Sequence, residues 1–409
     1  MPSETSLAGG APPPAPPAPA APRPGPVSSR PGPAAEAPRT GAAGEEGSEF
    51  ALLGIDHLRL CVGNAWQAAH FYVSALGMTP LAWRGPGAGG REHGEYLLAS
   101  GQVRFLVTGG AEPDSAAGRW AARHGDGVSD VAFAVRDVDA AFAYAVARGA
   151  TGLVEPHTVA DDRGGVRTAA LAGYGPVRHT LVDRSGYGGA FLPGFHPLPG
   201  RSPRRELFHT VDHVVGCVER GRMDHWVDFY RRTMGFTPTV EFVGDDIATE
   251  YSGLMSKVLT DGTGRIRLPL NEPAPGRRRS QIEEYLHYHQ GPGIQHVALE
   301  TDDIVAATDA MRAAGVEFLA TPDTYYQDPA LRARIGPVRV DLADLNDRGI
   351  LVDRDEDGYL LQIFTRPLSD RPTFFVELIE RHGSRGFGKG NFQALFEAVE
   401  REQARRGNL

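Results

Sequence analysis

GIDHLRLCVGNAWQAAHFYVSALGMTP, residues 54–80, returns as TVDHVVGCVERGRMDHWVDFYRRTMGFTP at residues 210–238. Each copy predicts a short strand that carries Asp-His, followed by an amphipathic helix that ends at a glycine, Gly77 or Gly235. A repeated supersecondary unit decides the fold, because such a unit buries its apolar face only against its neighbours. The chain is therefore expected to contain two similar halves.

A second repeated pair supports this division. GDGVSDVAFAVRDVDAAFAYAVARGATGL, residues 125–153, matches GPGIQHVALETDDIVAATDAMRAAGVEFL, residues 291–319, and each copy again runs from a strand through a helix to a glycine. The chain thus holds four strand-helix units, with the boundary between halves near the Pro-rich stretch 193–203. Tandem units of this kind predict an α+β fold whose sheets curl around a site and carry helices on their outer faces.

Length and composition place the chain among ordinary globular proteins. A chain of 409 residues is long enough for two domains, and the net charge of -9 argues against nucleic acid or an anionic membrane as the main partner. The two cysteines, Cys61 and Cys217, cannot form a disulfide framework, so a cytoplasmic location is predicted. No apolar run approaches the roughly 18 residues needed to span a membrane.

Three segments are expected along the chain. Residues 1–48 are rich in Pro, Ala and Gly without apolar periodicity, which predicts a disordered tail. The first half, residues 49–200, is predicted to be a domain without metal. The second half, residues 201–409, is predicted to be the catalytic domain, for the reasons that follow.

The C-terminal stretch 371–403 combines a strand, a glycine-rich connector and a helix. The apolar run 373–379 predicts a buried strand, in which Glu377 needs a strong partner because a buried charge survives by pairing or by binding a metal. HGSRGFGKG then predicts a hinge, and Asn391 is interpreted as the N-cap of the last helix. An apolar stripe at helical spacing lets that helix close as a lid over the site; the stripe comprises Phe392, Leu395, Phe396 and Val399.

Two histidines share the setting of that glutamate. His213 and His296 lie on separate predicted strands of the second half, as Glu377 does. Two imidazoles and one carboxylate from separate elements are the facial ligand set of non-haem Fe(II) oxygenases, although Zn²⁺ accepts the same ligand types. The alternative is a set of hydrogen-bonded structural histidines and a carboxylate at a strand edge.

The first half helps to choose between these readings. His57 is retained there, but Asp130 stands in the place of His296, and the segment near Phe191, taken as the counterpart of Glu377, has no acid. This loss is expected if one metal site works and the other half serves as scaffold. His287 and His289 are interpreted as surface residues of a helix.

The two-half repeat resembles the vicinal oxygen chelate superfamily. Within that superfamily, the second half resembles one family closely, the 4-hydroxyphenylpyruvate dioxygenases. The resemblance covers about residues 51–409 and is most specific beyond residue 205. The motifs that carry it are DHVVG (212–216), LPLNEP (268–273), SQIEEYL (280–286), GPGIQHVAL (291–299), GILVDRDEDGYLLQIFT (349–365) and GFGKGNFQALFE (386–397). It implies tandem βαβββ modules that form two open barrel-like halves, with a C-terminal lid helix.

The resemblance also implies the roles of individual residues. His213, His296 and Glu377 match the family's Fe(II) ligands. The polar residues that match its catalytic pocket are Ser256, Asn271, Gln281, Gln295 and Gln362. Those that match its substrate-binding walls are Phe364, Phe387, Asn391 and Phe392, with Phe364 and Phe392 flanking the substrate ring.

The implied reaction consumes an aryl 2-oxo acid and O₂. Decarboxylation of 4-hydroxyphenylpyruvate is coupled to ring hydroxylation and side-chain migration, which gives homogentisate and CO₂, as in tyrosine catabolism. The main alternative is 4-hydroxymandelate synthase, which oxidises the benzylic carbon; Asn271 favours the dioxygenase, because synthase-like sequences tend to be apolar there. Extradiol ring cleavage and a non-catalytic binding protein are further alternatives. A homo-oligomer is expected, with the metal-free half at the subunit interface.

Overall fold

The computed structural model describes most of the chain beyond the N-terminal tail. The described ranges are 50–85, 93–112, 114–198, 206–242 and 253–407. Within them, the side chains that lie outside the description are those of His93, Phe242, Lys389, Phe392, Gln393, Leu395 and Phe396. The predicted disordered tail therefore lies outside the described residues.

The first half forms a nine-stranded sheet in the order β6-β7-β8-β5-β1-β4-β3-β2-β9. Its strands are β1 (Leu52–Val62), β2 (Thr79–Arg84), β3 (His93–Ser100), β4 (Val103–Gly110), β5 (Gly127–Val135), β6 (Gly152–Asp161), β7 (Gly164–Ala172), β8 (Arg178–Asp183) and β9 (His196–Pro197). The second half forms an eight-stranded sheet in the order β11-β12-β13-β10-β14-β17-β16-β15. Its strands are β10 (Thr210–Cys217), β11 (Thr237–Phe242), β12 (Leu254–Thr260), β13 (Arg267–Pro273), β14 (Gly293–Glu300), β15 (Leu351–Arg354), β16 (Tyr359–Phe364) and β17 (Phe375–His382).

The described part of the chain also contains ten helices, of which the last follows the final strand. They are α1 (Ala65–Ala75), α2 (Ala116–His124), α3 (Val138–Ala147), α4 (Met223–Met234), α5 (Gln281–His289), α6 (Ile304–Ala313), α7 (Asp323–Gln327), α8 (Pro329–Ile335), α9 (Leu342–Arg348) and α10 (Lys389–Arg405). Helices α1, α3, α4 and α6 each follow the first strand of a module, so the four modules read βαβββ. Helices α7, α8 and α9 extend the connection in the last module.

The two sheets have the same internal symmetry. In the first, β1 pairs in parallel with β4 and antiparallel with β5; in the second, β10 pairs in the same way with β13 and β14. The last strand of each sheet's second module runs parallel to the first strand of that module, as β8 does to β5 and β17 to β14. The predicted α+β fold of tandem βαβββ modules is therefore confirmed.

Local sequence explains where the helices begin and end. Gly235 ends α4 with φ of 71°, a left-handed conformation that only glycine adopts without strain. Ser280 and Glu283 form a reciprocal capping box at the start of α5. The interpretation of Asn391 as an N-cap is wrong, because α10 begins two residues earlier with Gly388 at the cap, and the Asn391 side chain is buried in another network.

Contacts between the halves are close and largely aromatic. Nε2 of His179 on β8 lies 2.7 Å from the Tyr230 hydroxyl on α4. A Cβ atom at Gly216 would lie 2.1 Å from the hydroxyl oxygen of Tyr174, so only glycine permits this approach. The described residues from 50 to 407 belong to one compact unit, and its main apolar core includes residues of both sheets. The boundary of the two predicted domains near 199–205 lies outside the described residues, and the division stays a prediction.

None of the described helices is both long and apolar enough to cross a lipid bilayer.

His289 lies at this junction of the two halves. The prediction that it is a surface residue is wrong, since it is buried, whereas His287 is exposed as expected. Its ring stacks on Tyr285 at 5.0 Å and lies 4.7 Å from the ring of His124 on α2. The helical pattern of α5 could not reveal this, because the covering residues come from the other half.

Acid should weaken this junction. Burial lowers the pKa of His289 to about 4, and the nearby positive charge of Arg371 adds to the effect. Because the unfolded chain then binds more protons than the folded one between pH 4 and 6.5, stability is lost as the pH falls through that window. We expect wild type to lose about 2 kcal/mol more unfolding free energy than His289→Phe between pH 7 and pH 5. Urea unfolding at both pH values measures this, and equal losses would contradict it.

Candidate metal centre

Three neighbouring strands of the second sheet each carry one of the predicted ligands. In the register of the sheet, Ala298 on β14 lies opposite His213 on β10 and also opposite Glu377 on β17. His296 lies two residues before Ala298, and side chains two apart on a strand share a face. One ligand atom from each of His213, His296 and Glu377 lies within 4.8 Å of the other two. Oε2 of Glu377 is 3.2 Å from Nε2 of His213 and 3.5 Å from Nε2 of His296.

A buried ion network fixes the orientation of His213. Nδ1 of His213 lies 2.7 Å from Oδ1 of Asp212 and donates to it, which leaves Nε2 as the nitrogen that faces Glu377. Two nitrogens of Arg381 bind the Asp212 carboxylate at 2.6 and 2.8 Å, and Arg267 adds a contact at 3.0 Å. Burial alone would raise the pKa of Asp212, but its partners Arg381 and His213 hold that pKa well below its usual value. Asp212 is therefore an anion that orients the His213 ring, in the way that carboxylates orient metal-binding histidines in other proteins.

Charges within the triad favour an ionised carboxylate. Burial opposes ionisation of Glu377, yet the adjacent His213 lowers the pKa of Glu377 to about 2. Burial likewise opposes the charge on His213, but Glu377 and Asp212 raise its pKa to about 9. Desolvation prevails at His296, whose pKa is lowered. Glu377 is therefore ionised at neutral pH, and the adjacent His213 imidazole favours that charge.

His296 is oriented by packing more than by hydrogen bonding. Its ring stacks on Phe375 with centroids 4.6 Å apart and planes 18° apart, and Phe364 approaches its edge at 6.3 Å. Nδ1 of His296 lies 3.2 Å from Oε1 of Gln295. If Nδ1 carries the proton and donates to that oxygen, Nε2 is free to bind a metal, as it is in His213.

The triad opens into a cavity between the sheet and α10. Among the matched side chains, it is lined by Ser256, Asn271, Gln281, Gln295, Gln362, Phe364, Phe387 and Asn391. Ser256 and Asn271 lie directly opposite each other on β12 and β13. The side chain of Phe392 lies outside the described residues, so its predicted place beside the substrate ring stays a prediction. The rest of the lining is apolar and includes Val215, Leu254, Val258, Pro269 and Phe375.

The donor set suits a divalent transition metal. Two imidazole nitrogens and one carboxylate oxygen converge from one side, and the cavity covers the other side, where further ligands could bind. These residues therefore fit Fe(II), and ligand type alone also admits Zn²⁺. In the described part of the chain, no second group of three such ligands converges.

In the first half, the positions equivalent to His296 and Glu377 carry side chains that hydrogen-bond to each other. The strand register shows that Thr180 on β8, and not the segment near Phe191, is the counterpart of Glu377. Thr180 donates its hydroxyl and backbone N–H to Asp130, the counterpart of His296. The first half thus lacks an acid at this position, as predicted, but the prediction that the position lies near Phe191 is wrong.

The cavity positions of the first half are closed by a buried ion network. Glu95 stands opposite Thr108 as Ser256 stands opposite Asn271, and its carboxylate is fully buried. Arg59 and Arg84 both bind this carboxylate. The space that forms a pocket in the second half is thus occupied by ion pairs here.

Several residues around the site were not found from the sequence. Asp212 could have been found, because its Asp-His pair repeats at Asp56. The structure adds that Arg184 binds Asp56 as Arg381 binds Asp212. Phe375, by contrast, carries no pattern that separates it from ordinary core residues. Its stacking on His296 follows only from the pairing of β14 with β17.

Comparison with known proteins shows the family of this chain. The model of the Glyoxalase/Bleomycin resistance protein/Dioxygenase superfamily matches residues 54–182 and 210–363. The 4-hydroxyphenylpyruvate dioxygenase of Yarrowia lipolytica is 43% identical over 370 residues, which cover 87% of this chain and 93% of that protein. The enzyme of the same name from Tetrahymena thermophila is 42% identical over 379 residues, covering 90% and 94%. Among solved structures, a mutant of 4-hydroxymandelate synthase from Streptomyces coelicolor matches with a TM-score of 0.77 at 35% identity, covering 86% of this chain and 99% of that one.

Proposed function

Because this chain belongs to the 4-hydroxyphenylpyruvate dioxygenase family, we propose that it converts 4-hydroxyphenylpyruvate and O₂ to homogentisate and CO₂, with Fe(II) held by His213, His296 and Glu377. The observation that carries the proposal is the convergence of this triad in a cavity that all the described matched residues line. The second half, residues 201–409, is accordingly the catalytic domain, and the first half, residues 49–200, is the scaffold without metal.

The metal and the chain have separate tasks in this reaction. Iron, when bound, supplies the sites at which the 2-oxo acid and O₂ bind and the electrons that activate O₂. The chain must hold the three ligands on one side, orient the aromatic ring and exclude water. Phe364 and Phe387 give the cavity apolar walls, and Phe387 packs edge-on against the ring of His213 at 5.3 Å. These walls favour an aryl group over a small hydrophilic acid.

Polar groups in the cavity are few and placed at defined points. The Ser256 hydroxyl and the Asn271 amide lie on paired positions of β12 and β13, where they can bond a phenol hydroxyl or a carboxylate. Gln281, at the start of α5, and Gln295, beside His296, add two further amides. Because binding sites gain specificity from a small number of such groups in an apolar lining, we assign these residues to substrate orientation.

Product identity is the direct test of this function. The protein, loaded with Fe(II) in the presence of ascorbate, is given 4-hydroxyphenylpyruvate and O₂, and the products are separated by chromatography. Homogentisate with one O₂ consumed per product supports the proposal. 4-Hydroxymandelate would show that the chain shares the activity named for its structural neighbour. A full iron load without O₂ uptake would favour a binding protein, and cleavage of a catechol would favour extradiol chemistry.

Removal of the last helix should separate metal binding from turnover. Helix α10 packs on β15 and α5, and it is tied to α5 by the ion pair between Arg406 and Glu284. A chain without residues 391–409 keeps all three ligands but leaves the cavity open to water, so we expect retained iron and about 100-fold less product per unit time. Iron analysis and product yield measure this. A chain shortened only by residues 408–409 is the control, and normal yield from the longer truncation would disprove the lid.

Assembly and location also belong to the proposal. We propose a homo-oligomer whose contacts use the first half, because its edge strand β6 is largely exposed and carries the exposed apolar side chains Leu153, Val154 and Val159. Measurement of the native mass by light scattering tests this. The cytoplasmic location rests on Cys61 and Cys217, both of which are free thiols, and stays a prediction.

A further inference from the structure

A chain of hydrogen bonds leads from Glu377 outward to a tyrosine behind the lid helix. The Gln362 amide donates to Oε1 of Glu377 at 2.9 Å, and the Asn391 amide donates to Oε1 of Gln362 at 2.9 Å. The hydroxyl oxygen of Tyr325, on α7, lies 2.7 Å from Oδ1 of Asn391. This series, from Glu377 to Tyr325, is called the amide relay below. It connects β17, β16, α10 and α7.

The carboxylate sets the direction of the two amide bonds in the relay. An ionised Glu377 can only accept, so Gln362 must present its NH₂ group to it and its oxygen to Asn391. Asn391 must then present its own NH₂ group to Gln362, which leaves its oxygen facing Tyr325. That oxygen needs a donor, and the Tyr325 hydroxyl is the donor within reach, at 2.7 Å. The backbone oxygen of Val352, 2.8 Å from the same hydroxyl, is a second acceptor that competes for its proton. The same hydroxyl accepts from the backbone N–H of Val352 at 3.1 Å, which holds it against β15.

The relay also decides which oxygen of Glu377 faces the metal site. Oε1 is engaged by Gln362, whereas Oε2 is the oxygen near both histidine nitrogens. A carboxylate held in this way offers one oxygen to a metal, which leaves the remaining positions for the substrate and O₂. Asn391 lies in the first turn of α10, so the position of the lid helix and the orientation of Glu377 are mechanically linked.

From these contacts we propose that Tyr325 is a positioning residue, which acts through Asn391 and Gln362 to couple closure of α10 to the one-oxygen orientation of Glu377. The inference rests on the proposed function for its kinetic part only. Tyr325 does not line the cavity, and its ring packs beside the cluster of Phe364, Phe375 and Ala398. Replacement by phenylalanine therefore removes the hydroxyl and retains the packing.

A neighbouring residue provides a matched control. Tyr326 is on the same helix and is buried, and its hydroxyl donates to the backbone oxygen of Ile350 at 2.9 Å. No hydrogen bond in the described part of the chain joins Tyr326 to the relay. Tyr325→Phe and Tyr326→Phe thus each lose one tyrosine hydroxyl, but only the first interrupts the path to Glu377.

Hydrogen exchange tests the coupling without any turnover. Peptides that cover residues 389–405 are followed by mass spectrometry in the metal-free protein and after anaerobic addition of Fe(II). In wild type and Tyr326→Phe we expect Fe(II) to slow exchange in these peptides about fivefold, because the metal fixes Glu377 and hence Asn391. In Tyr325→Phe we expect this slowing to be absent, although iron content is unchanged.

Kinetics supply the second measurement. With 4-hydroxyphenylpyruvate, we expect Tyr325→Phe to lower kcat about tenfold with little change in KM, and to consume more O₂ per product than Tyr326→Phe. The inference is overturned if the two variants match in exchange and in kinetics. If the exchange result holds but wild type makes no homogentisate, the coupling stands and the proposed function fails.

Discussion

The Glu377→Ala variant is expected to lose its metal and its activity while it keeps its fold. Glu377 supplies the one oxygen of the triad, and two imidazoles alone do not form a facial site. Replacement of a residue that only hydrogen-bonds to a metal ligand typically lowers metal affinity about 10–100-fold. Loss of a ligand itself should lower the affinity further, and product formation should fall by on the order of 10³-fold or beyond. Iron content after desalting and the rate of homogentisate formation measure the two effects.

The first sheet provides the control for this experiment. Thr180 occupies the position of Glu377 in the first sheet and is hydrogen-bonded to Asp130. Thr180→Ala should retain iron and near-normal turnover, with a loss of stability of about 1 kcal/mol from the missing hydrogen bond. Wild-type iron content in Glu377→Ala, with the fold confirmed by circular dichroism, would remove the assignment of this residue as a ligand.

The second large effect is expected at Asp212, where both stability and metal affinity should fall. Its carboxylate is almost fully buried and binds Arg381, Arg267 and His213 together. Asp212→Ala leaves Arg381, whose side chain is 7% exposed, without its main counter-charge, which typically costs about 3–5 kcal/mol. It also frees Nδ1 of His213 from its acceptor, so metal affinity should fall about 10–100-fold.

Asp56 separates these two consequences. It binds Nδ1 of His57 at 2.6 Å and is paired with Arg184, as Asp212 is with His213 and Arg381. Asp56→Ala should therefore also lose unfolding free energy, though less than Asp212→Ala because the Arg184 side chain is 26% exposed, and its metal affinity should be unchanged. Urea unfolding of the metal-free proteins and competition with a metal-binding dye measure the two quantities. Equal metal affinity in both variants would show that Asp212 has a structural role only.

Much of the fold followed from repetition. The two repeated pairs, 54–80 with 210–238 and 125–153 with 291–319, predict four strand-helix units, because hydrophobic periodicity reports which side of an element is buried. The separate strands of His213, His296 and Glu377 were found in the same way, since a polar residue within an apolar strand stands out against its neighbours. The family's motifs then supplied the pocket residues, and those whose side chains the structure describes line one cavity.

Other features arise only where distant segments meet. His289 is buried by Trp120 and His124 of the first half, and no pattern within α5 encodes that contact. Thr180 was missed as the counterpart of Glu377 because register across parallel strands is set by the sheet and not by position along the chain. The residue type of Asn391 predicts a helix cap, whereas its side-chain amide donates a hydrogen bond to Gln362 on β16.

The sequence by itself determined the module, its fourfold repetition and the three side chains that can hold a metal. Each of these follows from the local order of apolar and polar residues along a strand or helix, which can be compared between segments without knowledge of their contacts. Only the tertiary structure decided which oxygen of Glu377 faces the histidines, how Tyr325 reaches that carboxylate through two amides, and that ion pairs close the equivalent space in the first half. The physical reason is that hydrogen-bond direction and burial depend on every group packed around an atom. Those groups come from strands and helices that lie far apart along the chain.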